Sequence, residues 1–344
     1  MKGRNGSEVA PCVLRRIGML DKLIALSLLL FLGPHVAALL GMEPMTLAAV
    51  AAAGLAAQFF DGRIGSSGSL GVAGMLGGSG FLFWEISKCW RPSGASPLLL
   101  PGALDGLFRR VLSDFPQYHP EALSTAPWII SLHSFLSDEE IEALVHGCEA
   151  FDRSATASGF GGSQIASLRT SSTCWCRRGG RGTSRGAAGA SCGDQTQILR
   201  LRERIANVTR APSSRHLTNF QVLRYESGQY YKPHHDQNSA HWTPHGVRVL
   251  SFLVYLSTPT AGGATRFPEL RKEEGGLTVP AVKGNALLWT NVVGSEPTTE
   301  EVLTRHEALP VREGEKLAAN VWIHQFDHTT PSDNRCVLMH YTTR

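Results

Sequence analysis

The sequence predicts an α+β fold, with a closed or jelly-roll sheet flanked by N-terminal helices. Two amphipathic helical patterns come first. From Asn219 onward the texture changes to short β-like runs separated by turn residues, at Phe220 to Tyr225, Val247 to Leu256, Gly276 to Val279, Ala286 to Trp289 and Leu317 to Phe326. Helices first and many short strands afterwards suit a sheet that closes on itself. No internal repeat interrupts that order.

Each helix has a start signal and one apolar face. Ser137-Asp-Glu-Glu140 has the layout of a capping box, and Ile141, Leu144, Val145 and Cys148 then recur at helical spacing. The second helix follows Asp194, with Ile198, Leu201, Ile205 and Val208 on one side. Between them the Gly- and Arg-rich stretch from Arg177 to Gly193 reads as a loop.

The 344 residues, 42% of them hydrophobic, suffice for one substantial core with an appended segment. Lys2, Arg4, Arg15, Arg16 and Lys22 precede the apolar run Leu23 to Leu40, the layout of a signal peptide or signal anchor. A weaker Ala-rich run spans Met45 to Phe60. Residues 1–60 are therefore assigned to targeting or membrane anchoring, 61–124 to a Gly-, Ser- and Pro-rich linker, and 125–344 to the folded domain. The positive-inside argument puts that domain in the lumen of the endoplasmic reticulum or Golgi, behind one span or a cleaved signal. Asn207-Val208-Thr209 is a glycosylation sequon consistent with that route.

The net charge of +4 is concentrated in the N-terminal twenty residues and in Arg177 to Arg185. A nucleic-acid partner is excluded, because it would require a basic stripe across a folded face. Seven cysteines form neither a dense disulfide framework nor a paired CxxC zinc pattern. An odd number leaves at least one thiol unpaired, and for Cys174, Cys176 and Cys192 both a bridge and free thiols are open.

The chemistry is carried by Tyr225-Glu-Ser-Gly-Gln-Tyr-Tyr-Lys-Pro-His234-His235-Asp236. His234 and Asp236 are two apart, so on a strand or at its end both side chains point to the same side. One imidazole and one carboxylate, joined by a second imidazole from a distant strand, make the set that suits non-haem Fe(II) and leaves positions open. His-x-Asp alone is a weak signal. His235, between the two, is expected to face away in a structural role, and His241 and His245 lack a carboxylate at ligand spacing.

Several further motifs stand in order beside it. Gly262-Gly263-Ala264-Thr265-Arg266-Phe267-Pro268 is followed by Lys283-Gly284-Asn285-Ala286-Leu287-Leu288-Trp289, and His306 precedes Lys316 by ten residues. Upstream lie Phe135-Leu136-Ser137 and Arg169-Thr170-Ser171. With Tyr225, Gly228, Tyr231, His234 and Asp236, these segments resemble the prolyl 4-hydroxylase family from about Pro127 to Trp322. The resemblance implies a double-stranded β-helix with iron at its mouth, His306 as third ligand and Lys316 pointing inward on the next antiparallel strand. A cation suits that place, because 2-oxoglutarate chelating the metal leaves its far carboxylate buried and in need of a partner. The resemblance adds Tyr225 and Thr265 as hydroxyl donors to the same carboxylate.

It further implies Fe(II), 2-oxoglutarate, O2 and L-ascorbate as cofactors and cosubstrates, and hydroxylation of proline in a peptide or protein to 4-hydroxyproline with release of succinate and CO2. By position in the motifs, Tyr231, Arg248, Trp322 and Arg169 are the candidate substrate contacts, aromatic faces suiting a proline ring and Arg a peptide carbonyl. Two departures stand out. Glu307 follows the distal histidine, where it is expected to point outward, and Arg266 replaces an apolar residue common in the family's turn. The alternatives are the same chemistry on another substrate, such as lysine, and a catalytically silent peptide-binding module; the intact His234, Asp236, His306 and Lys316 oppose the latter.

Overall fold

A computed structural model describes residues 89, 91, 94–148, 150–154, 168–179 and 192–336. These belong to the compact unit Glu85–Arg344, while the unit Met1–Trp84, with the targeting segment assigned to it, lies outside the described residues. Among the described residues no helix is long and apolar enough to cross a membrane.

The strands, in chain order, begin with β1 (Glu121–Thr125), β2 (Trp128–Leu132), β3 (Asp152–Arg153), β4 (Ser172–Cys176), β5 (Phe220–Tyr225) and β6 (Tyr231–His234). There follow β7 (Arg248–Tyr255), β8 (Ala261–Gly262), β9 (Thr265–Phe267), β10 (Leu277–Val279) and β11 (Ala286–Thr290). The last are β12 (Val292–Val293), β13 (Glu296–Glu300), β14 (His306–Ala308), β15 (Val311–Glu313) and β16 (Lys316–His324). An eight-stranded sheet runs β1-β2-β11-β7-β16-β5-β4-β3, and a four-stranded sheet runs β10-β9-β14-β6. From β5 onward the chain passes from one sheet to the other and back, antiparallel throughout, which is the winding of a double-stranded β-helix.

Two cores follow from the alternation of side chains along the strands. Leu253, Tyr255, Phe267, Leu287 and Trp289 fill the space between the sheets. On the outer face of the large sheet, Val222, Phe252, Val254 and Leu288 pack with the helices. The helix Asp138–His146 carries the full capping box, Ser137 and Glu140 each satisfying the other's backbone N–H. The helix Thr196–Val208 buries Ile198, Leu201, Ile205 and Val208, the face its spacing predicted.

The folded part starts earlier than residue 125. Helix Leu104–Asp114 buries Leu104, Leu107, Phe108 and Val111 in the outer core, and β1 pairs with β2 at the edge of the large sheet. The linker assignment is thus corrected for this stretch; the apolar i, i+3, i+4, i+7 pattern was present but flanked by turn residues. Three disulfides join Cys89 to Cys336, Cys148 to Cys174 and Cys176 to Cys192. The last closes the Gly- and Arg-rich loop, whose residues 180–191 lie outside the described set.

Candidate metal centre

His234 ends β6 and His306 begins β14, and the two are direct partners in the antiparallel register of the small sheet. Neighbouring strands thereby face both rings the same way, with centroids 4.4 Å apart. Asp236, two residues beyond β6, turns its carboxylate between them, 3.9 Å from His234 Nε2 and 3.7 Å from His306 Nε2. One ligand atom from each of the three lies within 4.8 Å of the others.

The backbone fixes which nitrogen of each ring is available. His234 Nδ1 donates to Lys232 O at 2.9 Å and His306 Nδ1 to Thr304 O at 3.0 Å, so in the neutral tautomer both Nε2 lone pairs point at the shared space. Burial, then the neighbouring His306, pushes the His234 pKa down to about 3, which keeps that ring neutral. Burial alone would raise Asp236; the imidazoles of His306 and His234 and the Ser251 hydroxyl outweigh it and hold the carboxyl well below the ordinary range. Two imidazoles and one carboxylate are the donor set of a divalent transition metal, so the residues present fit Fe(II).

Behind the carboxylate stands a relay that the sequence reading did not single out. Ser251 Oγ donates to Asp236 Oδ2 at 2.7 Å, and Asn291 Nδ2 donates to Ser251 Oγ at 2.8 Å, all three groups being buried. A polar Ser251 inside the apolar strand Val249–Tyr255 was its only sequence signal. Outer partners of this kind tune metal affinity by about 10–100-fold. Ser251→Ala is therefore expected to weaken Mn(II) binding about tenfold in calorimetry while Ser251→Thr retains it; equal affinities in all three proteins would show the relay to be idle.

A cavity beside the triad is lined by Tyr225, Thr265, Lys316 and Asn320 together with His234 and His306. Lys316, 2% exposed, opens β16 opposite Tyr225, its Nζ 5.4 Å from the ring of Tyr225 and 5.6 Å from that of Tyr255. Burial is the force that lowers its pKa to about 7, with no acidic neighbour among the described residues opposing it. Gly263, at φ +71°, adopts a left-handed backbone beside the Lys316 stem, where a Cβ would meet Pro259 Cγ at 3.0 Å; at Gly262 a Cβ would sit 2.3 Å from Pro310 O. Thr265 accepts a hydrogen bond from Tyr255 at 2.9 Å, which leaves its own hydroxyl hydrogen for another acceptor. Tyr255 was absent from the sequence-based set.

The four candidate substrate contacts also gather here. Tyr231 stacks on His234 at 3.5 Å, and Arg169 lies over Tyr231 at 4.6 Å. Arg248 lies 4.0 Å over Trp322 and donates to Asp236 O. Among the described residues Arg169 Nη2, Arg248 Nε and Trp322 Nε1 are buried without hydrogen-bond partners, although the Trp322 indole lies near enough to Asp236 to help lower its pKa. His235 bonds Glu301 O and Thr304 Oγ1, as a structural residue.

Glu307 does not point outward. Its side chain, 12% exposed, lines the cavity and pairs with Arg266 at 2.6 Å across β14 and β9. The two departures from the family pattern are thus one compensating pair.

Comparison with known proteins agrees with this geometry. Residues 220–324 match the family model of the 2OG-Fe(II) oxygenase superfamily. Human prolyl 4-hydroxylase subunit alpha-3 is 32% identical over 216 residues, covering 60% of this chain and 35% of its own length. The chain therefore spans about a third of the length of such relatives. Prolyl 4-hydroxylase 2 of Arabidopsis thaliana is 30% identical over 236 residues, which cover 62% of this chain and 73% of that protein. A solved viral collagen prolyl hydroxylase from Paramecium Bursaria Chlorella virus-1 aligns at 25% identity and a TM-score of 0.40, over 57% of this chain and 95% of its own. With the triad, the lysine and the winding of the sheets already in place, the Arabidopsis match over most of its length shows that the chain belongs to the prolyl 4-hydroxylase family.

Proposed function

We propose that this chain is an Fe(II)- and 2-oxoglutarate-dependent dioxygenase that hydroxylates proline in a peptide or protein to 4-hydroxyproline. The carrying observation is one cavity lined both by His234 and His306 of the His-Asp-His triad and by a buried lysine that has no acidic partner among the described residues. In this reading His234, Asp236 and His306 hold the metal. Lys316 meets the far carboxylate of 2-oxoglutarate, with Tyr225 and Thr265 donating from either side. When bound, Fe(II) supplies the redox chemistry by which O2 converts 2-oxoglutarate to succinate and CO2 and places its second oxygen atom in a C–H bond of the substrate.

The protein's own part is positioning and exclusion of water. Arg248, Trp322 and Arg169 hold donors that a peptide carbonyl satisfies, and the rings of Tyr231 and Trp322 offer faces to a proline. The Arg266–Glu307 pair narrows the cavity from the small-sheet side. L-Ascorbate serves as reductant in the same reading. Lumenal residence in the endoplasmic reticulum or Golgi belongs to the same reading, with residues 1–60 as targeting or membrane-anchoring element; three disulfides support it, since they persist in oxidising compartments.

The test is succinate formation from 2-oxoglutarate by the full chain with Fe(II) and ascorbate, alone and with a proline-rich or a lysine-containing peptide. Stimulation by the proline-rich peptide, with hydroxyproline in the product, is the expected outcome. Stimulation by the lysine peptide instead would move the same chemistry to another residue. No turnover by folded, iron-loaded protein would leave a binding module.

A further inference from the structure

Three neighbouring strands of the large sheet continue the wall of the cavity outward. Asn320 on β16 is in register with Gln221 on β5, and Gln221 with Trp175 on β4. Along β5, Leu223 and Tyr225 line the cavity, so Gln221, two residues before Leu223, faces the same side. Register then puts Trp175 on that face as well. Its ring lies 6.3 Å from that of Trp322, one of the aromatic residues beside the metal ligands.

Two features of this row ask for a ligand. Gln221 is 7% exposed and its buried Oε1 has no hydrogen-bond partner among the described residues, a condition that calls for an explanation in a native fold. Trp175 is 37% exposed although it is the largest side chain on its strand. It is also held unusually firmly. Cys174 and Cys176, on either side, point to the opposite face, where they are bonded to Cys148 and Cys192 in the outer core. Two disulfides beneath one five-residue strand pin the backbone that presents a single exposed indole. A rigid aromatic face of that kind loses little entropy on binding.

We propose that Trp175 and Gln221 form an outer substrate subsite, which takes the stretch of peptide flanking the residue that is hydroxylated. Gln221 Oε1 accepts a backbone N–H of that stretch, and the Trp175 face packs against a ring or apolar side chain. The 6.3 Å between Trp175 and Trp322 corresponds to roughly two residues of extended chain at about 3.3 Å each, so only peptides that run past the reacting residue reach it. The proposal rests on the peptide-hydroxylase reading given above.

The experiment is steady-state turnover by the full chain on a capped proline dipeptide, too short to span the separation just given, and on a proline peptide of about twelve residues, which has reach to spare. Trp175→Ala and Gln221→Leu are each expected to raise KM for the longer peptide about tenfold with kcat unchanged, while KM for the shorter peptide and for 2-oxoglutarate stays put. Trp175→Phe restores most of the loss. Equal shifts on both peptides, or none on either, would overturn the subsite while leaving the activity intact. Should the unaltered protein consume 2-oxoglutarate with no response to any peptide, the peptide-hydroxylase reading fails and the subsite goes with it. Melting curves on each variant separate these outcomes from a loss of folded protein.

Discussion

Lys316→Met is expected to raise the dissociation constant for 2-oxoglutarate by roughly 10²–10⁴-fold while leaving divalent-metal affinity within about twofold, because leaving one member of a buried ion pair alone costs about 3–5 kcal/mol. Lys316 is 2% exposed and has no carboxylate partner among the described residues, so a ligand carboxylate is the charge it is arranged to meet. Methionine keeps the length of the stem and removes only the charge and the donors. Calorimetry of 2-oxoglutarate binding to Mn(II)-loaded protein reads the effect. A variant that binds as tightly as the unaltered chain would move the cosubstrate elsewhere.

The same lysine gives binding a pH signature. Its pKa in the folded, ligand-free protein is lowered to about 7, from 10.5, by burial. Between those values the unfolded chain carries a proton that the folded chain has lost, so stability rises with pH through that window and the burial penalty is complete below it. A bound carboxylate favours the ammonium and raises the pKa again. At pH 8 binding should therefore take up about one proton, seen as a dependence of the heat on the ionisation enthalpy of the buffer, and Lys316→Met should take up none. Affinity is level below about pH 7 and weakens above it. Binding at pH 8 without proton uptake would show that the lysine is already charged in the empty cavity.

The sequence made this centre readable because its parts are two local motifs, which the resemblance to the prolyl 4-hydroxylase family joined. His234 and Asp236 share one strand end, and the His306 to Lys316 spacing spans one short turn of chain through β15. What escaped was set by cross-strand register. Arg266 and Glu307 are 41 residues apart, and nothing in either segment says that β9 and β14 are neighbours, so two departures looked independent when each compensates the other. Ser251 and Asn291 are partners for the same reason, 40 residues apart on or beside the adjacent strands β7 and β11. The start of the domain was misplaced for another reason. Helix Leu104–Asp114 lacks a side-chain cap and follows a Pro-, Gly- and Ser-rich stretch, so its apolar face was the one cue to it, and that face is buried by distant segments, β2 among them. Disulfide pairing likewise depends on which chain ends meet, as Cys89 and Cys336 do across 247 residues.

Asp236→Ala should abolish the stabilisation that a divalent metal confers on the fold. A ligand that binds only the folded state adds about 2.7 kcal/mol when present at a hundred times its dissociation constant, which for a domain of this size is a rise in Tm of about 5–10 °C. The carboxylate is the sole anion in the triad, buried between two imidazoles and oriented by Ser251, so its loss leaves two neutral donors and no charge to balance a dication. Mn(II) added to the variant is expected to shift Tm by less than about 1 °C and to bind at least a hundredfold more weakly, and peptide-stimulated succinate formation should fall to background. Melting with Mn(II) separates two causes of inactivity that turnover alone confuses. A variant that still gains the full shift yet makes no succinate would hold its metal without Asp236, and the triad would then lose its claim to be the metal site. A variant that melts far below the unaltered protein even without metal would show Asp236 to be structural first, as its depressed pKa and its bond from Ser251 make it in part. The expected result lies between these, with a folded protein, a modest loss of stability and no response to metal.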